Sequence, residues 1–210
     1  MKQAPSSAQW QQYGVNAVNL KNVLSWNLYD YQAYPTTGAT SFTFFQTPAG
    51  SGGKTLTDTN MTNAGVLPNP QAFWVDSVEV AFWPGVDLST YAAAAVNEFV
   101  NDTWSVLKTG YLTFTVGSSP YIQEGPLERF PSSTRFGLSA ALASDAASTG
   151  TSLSTIAYAT SVGKPHEVVP LVIPAQQNFS VSLNFDSPVT VTTAGRIGVR
   201  LVGYLNRPVQ

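Results

Sequence analysis

Residues 171–185 read LVIPAQQNFSVSLNF and residues 196–210 read RIGVRLVGYLNRPVQ, and these two stretches indicate the fold class. In the first stretch, the apolar residues Phe179, Val181, Leu183 and Phe185 alternate with Ser or Asn. In the second, the apolar residues that share one parity are Ile197, Val199, Leu201 and Leu205. A period of two is typical of a strand that buries one face and wets the other. We therefore predict two consecutive sheet strands within residues 170–210, in a β-sandwich or barrel.

Other segments rich in aromatic and β-branched residues have the composition of strands. These predicted strands lie at residues 23–34, 41–46, 73–83 and 111–116, with a further short strand near 153–159. One helix is predicted at residues 89–106, where Ser89 can cap the run YAAAAVNEFV. About eight strands with one inserted helix make the chain all-β, and its 210 residues suit one large domain.

The remaining segments predict loops and an arm. Residues 1–20 lack a clean period and are predicted to be an N-terminal arm, which leaves residues 21–210 as the single domain. Residues 47–70 are rich in Gly and Pro and predict a long exposed loop. Residues 125–131 also predict a loop, and residues 132–161 predict a surface insertion dominated by Ser, Ala, Thr and Gly.

Charge is scarce, because charged residues make up 10% of the chain against roughly 25% in typical domains. This scarcity favours a surface that meets other protein, although an ordinary domain with an uncharged polar surface is the alternative. A net charge of −2 without a Lys/Arg run argues against a dedicated nucleic-acid binder. The absence of cysteine excludes disulfides and thiolate metal sites, and we expect neither a signal peptide nor a membrane span.

Catalytic patterns are missing from the sequence. The one histidine, His166, lies in GKPHE, where we expect an exposed loop residue and no zinc site or triad. Glu124 and Glu128 are the closest pair of acids, and we expect both to be solvated, with weak pairing to Arg129 or Arg135. We therefore predict no enzyme activity, no cofactor and no small-molecule substrate. The Asn-x-Ser/Thr matches carry little weight; they are Asn60, Asn101 and Asn178.

The candidate contact residues lie at the two ends of the chain. Arg196 and Arg200 share one parity on the last predicted strand, which favours ordinary solvent-exposed arginines, although they could meet phosphate or a neighbouring carboxylate. Arg207 follows in the tail. Trp10 and Tyr13 are the isolated aromatic residues of the predicted arm. A sugar-binding platform could draw on the five tryptophans, although such residues more often belong to a core or an interface. They are Trp10, Trp26, Trp74, Trp83 and Trp104.

Residues 110–131, GYLTFTVGSSPYIQEGPLERFP, together with the two stretches quoted first, resemble jelly-roll virion proteins, particularly capsid proteins of tailless icosahedral phages. The resemblance covers residues 110–131 and 171–210 and depends on strand texture and turn residues. It implies a single eight-stranded jelly roll with one inserted helix and long loops, and terminal arms that link neighbouring subunits.

The resemblance further implies a capsid subunit that self-assembles into an icosahedral shell. The expected partners are copies of the chain and other virion proteins, with contact to the packaged genome or an internal membrane as a further expectation. The expected location is the virion, after assembly in the host cytoplasm. Within this reading, Trp10, Tyr13, Arg196, Arg200 and Arg207 are candidates for interface or genome contact. The alternative is a carbohydrate-binding or receptor-binding β-sandwich of the spike or tail type.

Overall fold

The computed structural model describes residues 4–15, 22–87, 93–144, 152–162 and 165–207. The strands in these ranges are β1 (Val23–Tyr34), β2 (Ser41–Phe44), β3 (Ala72–Trp83), β4 (Tyr111–Val116), β5 (Ser119–Glu124), β6 (Thr134–Ser144), β7 (Ser152–Val162), β8 (His166–Ile173), β9 (Phe179–Asn184) and β10 (Gly195–Asn206). The described helices are α1 (Ser7–Gln12) and α2 (Ala93–Leu107), with a short 3-10 turn at Leu127–Arg129. The chain is thus mostly β, as predicted.

Eight strands form two four-stranded antiparallel sheets that share one apolar core, which makes a β-sandwich. The first sheet has the order β1-β10-β3-β8, and the second sheet has the order β2-β9-β4-β5. The strands β6 and β7 form a separate hairpin that contacts α2. The β-sandwich predicted from the alternating patterns is confirmed.

Many of the side chains that form the core are the alternating apolar residues predicted from the sequence. In the second sheet Phe44 lies opposite Val181, which lies opposite Phe114, and all three side chains are fully buried. In the first sheet Leu201 of β10 lies opposite Leu28 and is also buried. Burying one such side chain contributes about 1.5–3 kcal/mol, so a register slip of one residue would be costly.

The two C-terminal stretches lie in opposite sheets. Residues 171–185 contain the end of β8 and all of β9, separated by a break in which Gln176 has a positive φ of 58°. The strand β9 belongs to the second sheet, whereas β10 lies between β1 and β3 in the first sheet. The predicted alternation is confirmed in both strands, and the chain crosses from one sheet to the other between them.

Several predicted boundaries were wrong. The strand β5 was not predicted, because Ser119 and Pro120 have low strand propensity. The insertion predicted at 132–161 is largely the β6–β7 hairpin, whose Ala and Ser residues hid its first strand. The helix α2 begins at Ala93 in the described residues, and the predicted cap Ser89 lies outside them.

The loop predicted at residues 47–70 is not a free excursion. Met61 and Leu67 are buried in the core, and Asp58 O accepts a hydrogen bond from Tyr31 N at 2.8 Å. The amide of Asn60 bonds both Tyr29 N and Asn27 O, at 3.1 and 2.7 Å. The loop therefore covers the outer edge of β1, where a strand would otherwise leave its backbone groups unpaired.

Candidate functional site

Residues 4–15 of the predicted N-terminal arm pack against the chain's own domain. Ser6 caps α1 through a capping box with Gln9, and Trp10 is fully buried in a small cluster apart from the main core. The Trp10 ring meets Trp74 edge-on at 5.4 Å between centroids, and Tyr13 meets the same ring at 5.2 Å. Tyr13 keeps 40% of its surface exposed. Of the two candidate arm residues, Tyr13 is thus the one presented to solvent in the single chain.

Arg196 is held on the outer face of the first sheet by the loop that covers β1. Its Nη2 donates to Asp58 Oδ1 at 2.7 Å and to Thr57 O at 2.6 Å, and its guanidinium lies 4.5 Å from the centre of the Tyr31 ring. A backbone hydrogen bond from Thr55 lowers the pKa of Asp58, and the charge of Arg196 acts in the same direction. Arg196 therefore joins the loop to the sheet.

Arg200 is also paired within the chain. Its Nη1 lies 3.4 Å from Oε2 of the buried Glu79, and its Nη2 donates to Tyr31 OH at 3.3 Å. The other oxygen of Glu79, Oε1, is shielded from solvent and has no hydrogen-bond partner. Arg207 differs, because its side chain is exposed while its backbone N–H donates to Asn22 O. Arg196 and Arg200 are neutralised by carboxylates, so Arg207 is the most available of the three.

A second polar contact, between Asp30 on β1 and Lys54, holds the loop at residues 47–70 against the sheet. Asp30 is fully buried on β1, where Oδ2 accepts from Phe45 N at 2.6 Å and Oδ1 pairs with Lys54 Nζ. Burial raises the pKa of Asp30, whereas the contacts with Lys54 and Phe45 act in the opposite direction. Phe45 has a positive φ of 68°, which a residue with a side chain adopts at a cost of roughly 1–2 kcal/mol.

An open groove of about 870 Å³ runs between the edge strands β5 and β8. His166 lies at this groove, and its prediction as an exposed loop residue was wrong: it begins β8 opposite Val78 and is only partly exposed. The sequence GKP before it suggested a turn, and only the pairing with a distant strand makes it a sheet residue. Its ring meets Phe130 at 4.8 Å, and Nε2 lies 4.0 Å from Glu124 Oε2.

The predicted acids behave differently from each other. Arg129 Nη2 lies 3.2 Å from Glu124 Oε2, as the predicted weak pairing requires, and Glu124 lines the groove. Glu128 is exposed in the 3-10 turn. Tyr121, which also lines the groove, was not singled out from the sequence. It is the extra residue where the β4–β5 register shifts, so it interrupts the alternation that would have revealed it.

The tryptophans do not form one platform. Trp10 and Trp74 are buried against each other, and the remaining three are exposed on β1, at the end of β3 and on α2. Of the glycosylation-type asparagines, Asn60 is used inside the fold, as described above, whereas Asn101 and Asn178 are exposed.

Within the described ranges, no group of three or more His, Asp or Glu residues could hold a metal ion. Neither described helix is long and apolar enough to cross a membrane. Comparisons with protein-family models, with curated proteins and with solved structures find no match to this chain.

Proposed function

We propose that the β-sandwich is a jelly roll. Counted in chain order, the eight sandwich strands pair first with eighth, second with seventh, third with sixth and fourth with fifth. These pairs are β1–β10, β2–β9, β3–β8 and β4–β5. Nested pairing of this kind describes one long hairpin wrapped into two sheets, which is the arrangement of a jelly roll. In this reading α2 and the β6–β7 hairpin are insertions.

We propose further that the protein is a capsid subunit whose activity is self-assembly. Jelly rolls also occur in lectins and cupins, so the fold alone does not indicate a capsid subunit, and the surface of the protein must provide the evidence. The observation that carries the proposal is the outer face of the second sheet, on which no charged side chain occurs. Its positions are Ser41, Thr43, Tyr111, Thr113, Thr115, Pro120, Gln123, Ser180, Ser182 and Asn184.

A free protein surface usually carries charges of both signs, whereas the centres of protein interfaces are depleted of charge. The uncharged face therefore supports a buried contact with another copy of the chain. Exposed large apolar side chains elsewhere support further contacts, and they include Leu24, Trp26, Val100 and Trp104. Contact with other virion proteins, with the genome or with an internal membrane remains a prediction, for which Arg207 is the most available residue.

We propose no catalytic role. A sugar platform built from the tryptophans has no support in their positions, because two are buried and three lie on separate elements. The alternative of a carbohydrate-binding or receptor-binding β-sandwich stays a prediction.

Electron microscopy and light scattering of the purified chain test assembly. We expect shells or lattice fragments in some conditions of salt and pH, and monomers under every condition would overturn the proposal. Ser182→Glu introduces a charge at the centre of the uncharged face, between Thr43 and Thr113, and should abolish assembly.

Ser51→Glu introduces the same charge in an exposed loop and serves as the matched control. If Ser182→Glu assembles as well as Ser51→Glu, this face is not the contact. If wild type and Ser51→Glu assemble and Ser182→Glu does not, the face is the contact.

A further inference from the structure

The groove between β5 and β8 has the construction of a small-ligand site. Its volume of about 870 Å³ lies within the range of roughly 300–1,000 Å³ that such sites occupy. Its lining is apolar at Val116, Leu171 and Val172, which are all buried side chains. Polar groups surround these residues: Ser118, Ser119, Glu124, His166, Glu167 and Gln177.

The groove is poorly suited to an added peptide strand, although two edge strands form its walls. Pro120 in β5 and Pro170 in β8 each lack a backbone N–H. The strand β8 also bulges, because Glu167 pairs with Ser77 and Leu171 pairs with Val75. Three residues of β8 therefore face one residue of β3. Prolines and bulges of this kind oppose strand addition at a sheet edge.

The described lining of the groove favours neutral or cationic ligands over anions. Glu124 and Glu167 lie in its described lining, and neither Lys nor Arg does. Phosphate groups and acidic polymers would meet repulsion there. We therefore choose a ligand without negative charge.

Two tyrosines supply flat rings at the groove. Tyr121 is 58% exposed and Tyr13 is 40% exposed, and both belong to the lining. Glu124 Oε2 is shielded from solvent beside Arg129, but the side chain as a whole is 43% exposed and lines the groove. Aromatic rings that offer an apolar face, beside carboxylate and amide groups that can bind hydroxyls, suit a sugar.

From these features we propose that the groove binds a short neutral oligosaccharide. The sugar stacks an apolar face of one ring on Tyr121, and its hydroxyls bind the carboxylate of Glu124 and the amide of Gln177. The site is separate from the uncharged face of the second sheet and does not depend on self-assembly. A bound sugar is here a ligand and not a substrate.

Isothermal titration calorimetry of the full chain tests this site with five probes. Cellotriose, maltotriose and triacetylchitotriose are neutral trisaccharides, trigalacturonic acid is the anionic counterpart, and trilysine tests a cationic peptide. We expect at least one neutral trisaccharide to bind with a Kd below about 10 mM, and we expect no binding of trigalacturonic acid. Binding of none of the neutral sugars, or preferential binding of trilysine, would overturn the proposal.

Tyr121→Ala should weaken sugar binding by about tenfold or more, because the stacking ring is lost. Leu56→Ala is the control, since Leu56 is 72% exposed, lies outside the uncharged face and does not line the groove. We expect a change of less than about twofold for this control. Equal effects of the two substitutions, or no effect of Tyr121→Ala, would place the sugar elsewhere and refute the assignment.

Discussion

Replacing Asp30 separates two opposing effects on one buried carboxylate. Burial disfavours its charge, and the pairing with Lys54 favours it. Because burial is the larger effect and raises the pKa of Asp30, the negative charge itself adds little to stability. The hydrogen bond that Asp30 accepts from Phe45 N then matters more than the charge. We therefore predict that Asp30→Asn is much less destabilising than Asp30→Ala.

The magnitudes follow from the contacts. Asn retains an oxygen that can accept from Phe45 N, so Asp30→Asn should lower the free energy of unfolding by about 0–1.5 kcal/mol. Ala leaves this buried N–H unpaired, at a cost of about 1–3 kcal/mol, and also removes packed atoms. Asp30→Ala should then cost about 2–4 kcal/mol in total. The same hydrogen bond offsets the positive φ of Phe45, which becomes unsupported in the Ala variant.

Urea unfolding at pH 7, under conditions that keep the chain monomeric, measures this difference. With a slope of about 2 kcal/mol per molar urea, Asp30→Ala should lower the midpoint by about 1–2 M and Asp30→Asn by less than about 1 M. Equal losses in the two variants would refute the reasoning, because the ion pair with Lys54 would then outweigh burial.

The stability of the wild type relative to Asp30→Asn should change with pH in one direction. Between the ordinary value of 3.8 and the raised folded pKa, the native state holds a proton that the unfolded chain has released. Lowering the pH through this window should therefore stabilise the wild type relative to Asp30→Asn. A stability difference that stays constant from pH 7 to pH 4 would contradict the raised pKa.

Trp10→Ala removes the buried anchor of α1, so hydrogen exchange should become fast in α1 while β10 stays protected; unchanged protection of α1 would show that the arm is held otherwise. Gly203→Ala places a Cβ about 1.8 Å from Trp74 O, which forces the backbone apart, and we expect Tm to fall by at least about 5 °C in a thermal melt. Asp58→Asn should cost less than about 1 kcal/mol at pH 7, because the carboxylate is partly exposed. The pKa of Asp58 is lowered, so this cost should shrink as the pH falls below 3.8 through the folded pKa, and a cost that grows with acid would contradict it.

The sequence predicted those strands that bury one face in the core and expose the other. The parity of Phe179–Phe185 and of Ile197–Leu201 matched the core because alternation is a local property of the chain. It did not predict β5, where a proline and the extra residue Tyr121 interrupt the alternation. The sequence also did not predict that Met61 is buried, because an isolated apolar residue in a polar loop gives no periodic signal.

The candidate contact residues depended on information that is not local. Arg196 has the pattern of a solvated arginine, and its position over Tyr31 follows from a register that joins residues far apart in the chain. The same holds for Trp10, whose partner Trp74 lies on β3. The groove combines two edge strands from different sheets, so only the assembled sandwich brings Tyr121 near His166.

The position of β10 also determines when the chain can fold. This strand lies between β1 and β3, so these two strands have no common neighbour until residues 195–206 have left the ribosome. Every sandwich pair except β4–β5 joins strands that are distant in sequence, and long-range pairing of this kind folds slowly. A nascent chain that lacks β10 would expose the inner faces of both sheets and rely on chaperones to avoid aggregation. Because β10 is made after β1 and β3 and joins them, the first sheet can close only once β10 has been synthesised.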